Sequence, residues 1–188
     1  VFEDFNGDNL IDVLIGSRFG LDIFSNTGTP THPVFVLTEF PGTLPLLKAG
    51  SFEYLKPTVA DINDDGKVDV LIGTRNSSFL YYENTGTKVS PQFELRTGSS
   101  SPFPDLTTWP GLCKNDYDCT FAAPTFFDVT NDGLIDVVCG SRYGWRRRNN
   151  NAGIKVERIV YYFKNIGTKQ MPSFSLVAGT ANPFDNIL

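Results

Sequence analysis

Short apolar runs closed by glycine recur along this chain, separated by clusters of Asn, Ser, Pro and Gly. Asp12-Val-Leu-Ile-Gly16, Asp69-Val-Leu-Ile-Gly73 and Asp136-Val-Val-Cys-Gly140 show the pattern three times. β-branched runs of this length bounded by turn residues predict strands. In the middle of the chain Pro57 to Ala60, Val68 to Ile72, Phe79 to Glu83 and Gln92 to Arg96 read as four such strands in succession, a sheet-sized unit that repeats. No stretch sustains the i, i+3, i+4 apolar spacing of a helix, and only seven alanines occur among 188 residues, so helices should be few. Sixteen Phe and seven Tyr are bulky enough to fill the space between sheets. The expected fold class is all-β.

Each glycine-closed run follows an acidic nine-residue segment. The three are Asp4-Phe-Asn6-Gly-Asp8-Asn-Leu10-Ile-Asp12, Asp61-Ile-Asn63-Asp-Asp65-Gly-Lys67-Val-Asp69 and Asp128-Val-Thr130-Asn-Asp132-Gly-Leu134-Ile-Asp136. Oxygen-bearing side chains fall at positions 1, 3, 5 and 9 every time. A hard cation such as Ca²⁺ takes about six to eight oxygen ligands, and closely spaced carboxylates on a tight loop supply them. Position 6 is Gly66 and Gly133, which fit a sharp turn with positive φ, and Asn9 is the next most tolerant residue there. Three Ca²⁺ sites are therefore expected. An EF-hand would need a bidentate Glu at position 12, where Ile15, Ile72 and Cys139 stand, and a helix where strand chemistry follows.

The repeat extends beyond the loops. Gly-Ser-Arg18, Gly-Thr-Arg75 and Gly-Ser-Arg142 close the strand after each loop, and Asn26-Thr-Gly-Thr29, Asn84-Thr-Gly-Thr87 and Asn165-Ile-Gly-Thr168 follow. Pro33/Phe35, Pro91/Phe93 and Pro172/Phe174 then keep one offset, as do Leu37, Leu95 and Leu176. This set resembles the FG-GAP/VCBS repeat family, the blades of integrin-α-like β-propellers, over nearly the whole chain. The resemblance implies four-stranded antiparallel blades in which the acidic loop joins the first two strands. It also implies that the main-chain carbonyls of Leu10, Lys67 and Leu134 add to the ligands at positions 1, 3, 5 and 9. The expected repeats are 1–56, 57–123 (with a Cys-containing insertion) and 124–188 (with a basic hairpin insertion).

Three repeats are too few for a closed ring of about four to eight blades, so a partial propeller or part of a larger repeat assembly is expected. Val1 to Glu3 matches Thr58-Val59-Ala60, and Asn182-Pro-Phe184 matches Ser101-Pro-Phe103. Ends in the same phase predict a piece of a larger secreted protein. The outer repeats keep the apolar pattern of the middle one, in Val13-Leu-Ile15, Val137-Val138 and Ile159 to Phe163. Repeats cannot bury such faces alone, which predicts association with other copies or neighbouring repeats, a filament being favoured over a ring.

Net charge is −5, and nine of the 21 acids occupy ligand positions, so three Ca²⁺ would bring the total to about +1. The acidity belongs to the loops, and no Lys/Arg stripe points to nucleic acid. No apolar run of about twenty residues predicts a membrane span. Cys113 and Cys119 bracket five residues, and a local disulfide is the expected reading, placing the protein outside the cell. Cys139 aligns with Ile15 and Ile72 and reads as a core thiol. Asn76-Ser-Ser78 is a glycosylation sequon in a turn.

The only histidine, His32, sits in a Pro-flanked loop with no nucleophile to pair with, so no enzyme is expected. The function expected is an extracellular or cell-surface structural or adhesive protein. Its outside partner would be a glycan or a cell-surface protein. The alternatives are a lectin-like propeller, for which Trp109, Tyr143 and Trp145 are candidate contacts, and a fragment of a polysaccharide lyase.

Overall fold

The computed structural model describes residues 1–18, 20–38, 54–75, 78–104, 119–145 and 155–185, apart from the side chains of 119–121, 142–145 and 155–159. Three antiparallel four-stranded sheets account for the described strands. The first contains β1 (Phe2–Glu3), β2 (Asp12–Gly16), β3 (Leu21–Asn26) and β4 (Phe35–Thr38). The second contains β5 (Lys56–Ala60), β6 (Asp69–Gly73), β7 (Phe79–Asn84) and β8 (Phe93–Arg96). The third contains β9 (Cys119–Phe127), β10 (Asp136–Trp145), β11 (Lys155–Asn165) and β12 (Phe174–Val177). Spatial order follows chain order in each sheet, as short hairpin connections dictate. The middle four strands lie within a residue or so of where the hydrophobic pattern puts them. Two three-residue 3₁₀ turns, Gly98–Ser100 and Gly179–Ala181, are the helical elements among the described residues, and none could cross a membrane.

Register repeats with the sequence. Val13 pairs with Phe24, Val70 with Tyr82, and Val137 with Phe163. Because side chains alternate across a strand, this register gives every sheet the same two faces. One carries Val13 and Ile15, Val70 and Ile72, or Val137 and Cys139; the other carries Leu14, Leu71 or Val138. The second face of one sheet packs on the first face of the next. Leu14 and Ile23 meet Val70, Ile72, Tyr82 and Phe93 in one buried layer, with Leu55 from the incoming strand. Leu71, Tyr81 and Ile62 meet Val137, Cys139, Phe163 and Phe174 in another.

One device recurs at both joints, and a second is seen at the joint between the second and third sheets. The first is a glycine at the end of the second strand. A Cβ on Gly16 would lie 2.2 Å from the Leu55 carbonyl oxygen, and one on Gly73 would lie 2.2 Å from that of Ala122. Only a hydrogen fits where backbone meets backbone so closely. Beside each glycine, Leu55 donates its N–H to Ser17 O (2.9 Å) and Ala122 donates to Thr74 O (3.1 Å). The second device is Phe103, which leaves the second sheet and stacks on Phe174 of the third at 4.5 Å and 3°, edge-on to Tyr81. Phe174 N–H donates to Pro102 O at 2.9 Å, so the plug is held by main chain as well.

Cys139 is a free, buried thiol in the second joint, as its alignment with isoleucine predicts, and burial pushes it up to about 12. Cys113, Asn76, Trp109 and the 146–154 segment lie outside the described residues, as do the side chains of Cys119, Arg142, Tyr143 and Trp145.

Candidate metal centre

All three acidic segments form the same loop between the first and second strands of their sheets. The backbone turns through left-handed φ at position 6, at Asn9 (65°), Gly66 (81°) and Gly133 (81°), as the residue types predict. It does so a second time at position 4, at Gly7 (74°), Asp64 (56°) and Asn131 (56°). Sequence reading missed this second turn, although Gly, Asp and Asn are the residues that tolerate it.

The position-1 carboxylate organises the loop. Asp4 accepts N–H bonds from Gly7, Asp8 and Asn9 at 2.7, 3.2 and 2.9 Å. Asp61 accepts from Asp65 and Gly66 at 3.0 and 2.8 Å, and Asp128 from Asp132 and Gly133 at 3.2 and 2.9 Å. Position 5 in turn accepts from position 7: Leu10 to Asp8 (2.8 Å), Lys67 to Asp65 (3.0 Å) and Leu134 to Asp132 (3.0 Å). Asn6 Oδ1 takes the Asp8 N–H at 2.9 Å. Thr130 and the Leu134 N–H bond to Asp132, and with Lys164 nearby they hold its carboxyl below the ordinary range, the Leu134 bond contributing most.

Position 9 does something different. Asp12, Asp69 and Asp136 are fully buried beneath their loops. Each gives one oxygen to the amide of the asparagine that ends the third strand: Asn26 (2.8 Å), Asn84 (2.9 Å) and Asn165 (2.8 Å). The other oxygen takes Phe5 N–H in the first repeat, Tyr81 O–H (3.0 Å) in the second, and both Tyr162 O–H (2.8 Å) and Val129 N–H (3.2 Å) in the third. Those tyrosines were not foreseen, because Ile23 stands at their position in the first repeat.

The same asparagines staple the hairpin that follows. Asn26 Oδ1 accepts from Gly28 and Val34, Asn84 Oδ1 from Gly86 and Gln92, and Asn165 Oδ1 from Gly167 and Ser173, all at 3.0–3.1 Å. This explains the recurring Asn-x-Gly-Thr in structural terms. Loop, strand and hairpin form one hydrogen-bonded relay.

The electrostatics of the loops leave room for a cation. Burial raises the Asp12 carboxyl above its ordinary value, and repulsion from Asp8 and Asp4 adds to this against the Asn26 and Phe5 amides. Burial likewise carries Asp69 up to about 7, with Asp65 and Glu83 adding repulsion against the Asn84 and Tyr81 bonds. Among the described residues, the one buried side-chain oxygen or nitrogen without a hydrogen-bond partner is Asn63 Oδ1, at position 3 of the second loop. Its Nδ2 donates to Asp65 Oδ2 at 3.3 Å, and Lys67 Nζ lies 3.0 Å from the same oxygen. An acceptor without a donor, set among repelling carboxylates, is the chemistry a hard cation satisfies.

The residues present fit Ca²⁺, with Asp61, Asn63, Asp65 and Asp69 as its side-chain oxygens and the counterparts Asp4, Asn6, Asp8, Asp12 and Asp128, Thr130, Asp132, Asp136 in the other loops. The carboxylates alone do not close on a common point: no group of three or more acidic, His or Cys side chains among the described residues could hold an ion by itself. Amide, hydroxyl and main-chain oxygens would have to complete the shell. His32 lies apart from the loops, exposed on the β3–β4 hairpin.

Neighbouring sheets also touch at these loops. Position 4 meets the next sheet's hairpin five residues past its asparagine: Val89 packs within 3 Å of where a Cβ on Gly7 would sit, and Gln170 Nε2 donates to Asp64 Oδ2 at 3.1 Å. No curated protein matches the sequence. The family model of the FG-GAP-like repeat matches residues 4–72, from the first aspartate of the first loop into the strand after the second. This stretch, with its two acidic loops and its stapled hairpin, is similar to an FG-GAP-like repeat.

Proposed function

We propose that this chain is an extracellular calcium-binding structural or adhesive module. Its sheets act as propeller-type blades, and Ca²⁺ rigidifies each loop. The blades assemble with further copies of the chain or with further repeats. The observation that carries the calcium reading is the orphaned Asn63 Oδ1 within a loop whose carboxylates repel one another. Bound Ca²⁺ would add positive charge to a loop in which Lys67 pairs with Asp65. The chain's own residues do the rest: position 1 folds the loop around its amides, and position 9 ties it to the third strand. The Asn staple passes that order to the hairpin, which in the second and third sheets borders the loop of the preceding sheet.

Calorimetric titration of the calcium-stripped chain tests the reading. Three sites are expected for the full chain and two for Asp65→Ala. Binding that favours the folded state adds about 2.7 kcal/mol per site at a hundredfold excess over Kd, so chelation should lower the melting temperature by many degrees. An unchanged melt in excess chelator refutes it.

A further inference from the structure

Two of the three loops carry a cation of their own, and they draw it from different places in the sequence. In the second loop, Lys67 at position 7 sets its Nζ 3.0 Å from Asp65 Oδ2. In the third loop position 7 is Leu134, and the ammonium comes from Lys164, the residue before the stapling Asn165, with Nζ 3.4 Å from Asp132 Oδ2. Glu83 stands at the place of Lys164 in the second sheet, and Arg96 Nε engages it at 2.7 Å. A loop position and a strand position therefore deliver a lysine to the same oxygen, Oδ2 of position 5. The other oxygen, Oδ1, accepts the position-7 amide in both loops.

The first loop lacks this arrangement. Leu10 and Ser25 stand at the two places, and Ser25 Oγ is 2.9 Å from Thr38 Oγ1 on the neighbouring strand. Among the described residues no ion pair reaches Asp4, Asp8 or Asp12. Lys88 lines a small cleft with Asp4 but forms no ion pair with it.

Partly exposed ion pairs such as these add little to folding stability. Their effect on a divalent ion is larger, because the ammonium acts on two charges and sits against one of the ligand groups. A unit charge about 6 Å from a divalent ion costs that ion about threefold to tenfold in affinity at moderate salt. We infer that Lys67 and Lys164 are affinity-setting residues: tethered counter-ions that hold the position-5 carboxylate of the empty loop and weaken calcium binding there. The first loop binds without such a competitor. This inference rests on the calcium reading proposed above and names the residues that tune its sites.

Calcium titration of the full chain, followed by NMR at the amides of Asn9, Gly66 and Gly133, reads the loops separately, because each amide donates to the position-1 carboxylate of its own loop. Lys67→Met should tighten the second loop about threefold to tenfold, and Lys164→Met the third by a similar factor. Lys67→Gln serves if the methionine variant fails to fold. Lys67→Arg keeps the charge and should leave the second loop near its wild-type affinity. Leu10→Lys should weaken the first loop by the factor that Lys67→Met gains in the second. Each change should shrink in about 1 M KCl, where screening is nearly complete.

Loops that fill with calcium at unchanged affinity in either lysine-to-methionine variant overturn the inference and leave the calcium reading standing. So does a gain in Lys67→Arg as large as in Lys67→Met, which a steric role would give, or a first loop that Leu10→Lys does not weaken. Amide signals that do not respond to calcium in any loop overturn both readings.

Discussion

Alanine at Gly73 and alanine at Gly140 are the same chemical change at equivalent positions, yet the structure assigns them opposite consequences. At Gly73 the new methyl would lie 2.2 Å from the Ala122 carbonyl oxygen and 2.6 Å from Pro124 Cδ. Neither is the tip of a flexible side chain, so β9 must withdraw from β6. Reaching ordinary contact, which begins near 3.4 Å, opens the joint by about 1 Å. A gap of that size forfeits roughly a quarter to a half of the dispersion attraction of each lining contact, and Leu71, Val137 and Phe163 all line it.

Overpacking of this kind costs about 1–3 kcal/mol, and replacing glycine returns about 0.5 kcal/mol through the unfolded chain. The net expected loss is about 1.5 kcal/mol, or about 3–6 °C in melting temperature for a chain of this size. Gly140→Ala meets no atom within 4 Å and needs no special φ, so it should be neutral or about 0.5 kcal/mol stabilising. Thermal and urea unfolding of both variants, dilute and in calcium, measure the difference. Equal losses at the two positions would refute the assignment of these glycines to joints.

Two further outcomes follow from the buried aspartates at position 9. Tyr81→Phe removes the hydroxyl from Asp69 Oδ2 and should cost about 1–2 kcal/mol, more than Tyr162→Phe, because Asp136 Oδ2 keeps the Val129 amide; urea midpoints of the two variants decide. In calcium-free buffer, the Asp69 carboxyl, raised to about 7, makes a contribution to stability that is fully present below its unfolded value near 3.8 and lost as pH rises through 7. That contribution is on the order of 4 kcal/mol. The stripped protein should therefore melt lower at pH 8 than at pH 5, and Asp69→Asn should flatten that slope.

Much of this was legible because the chain repeats itself. Loop positions, strand order and the division into faces all follow from a periodic pattern compared with its own copies. The buried fate of Cys139 was readable for the same reason, since isoleucine stands at its position twice. What escaped were features set by tertiary distance. Nothing in Val89 or Gln170 announces that it will touch the loop of the preceding sheet, and the hydroxyls of Tyr81 and Tyr162 look like core aromatics until the buried aspartate is seen beneath them. The left-handed turn at position 4 was written in Gly7, Asp64 and Asn131, but three different residue types hid the rule. The glycines that close each second strand read as terminators, and only the approach of the next sheet's carbonyl shows them to be spacers.

The bond from position 9 to the strand-ending asparagine gives each loop a remote reporter. The amide protons of Asn26, Asn84 and Asn165 are buried and held by the carboxylates beneath the acidic loops. Their exchange with deuterium measures how tightly each loop is closed, one repeat at a time and without any label. Since the same asparagine holds the following hairpin, slowed exchange should spread to Gly28 and Val34, Gly86 and Gln92, and Gly167 and Ser173. Three sets of amides can thus rank the three loops by how tightly each is closed within a single sample.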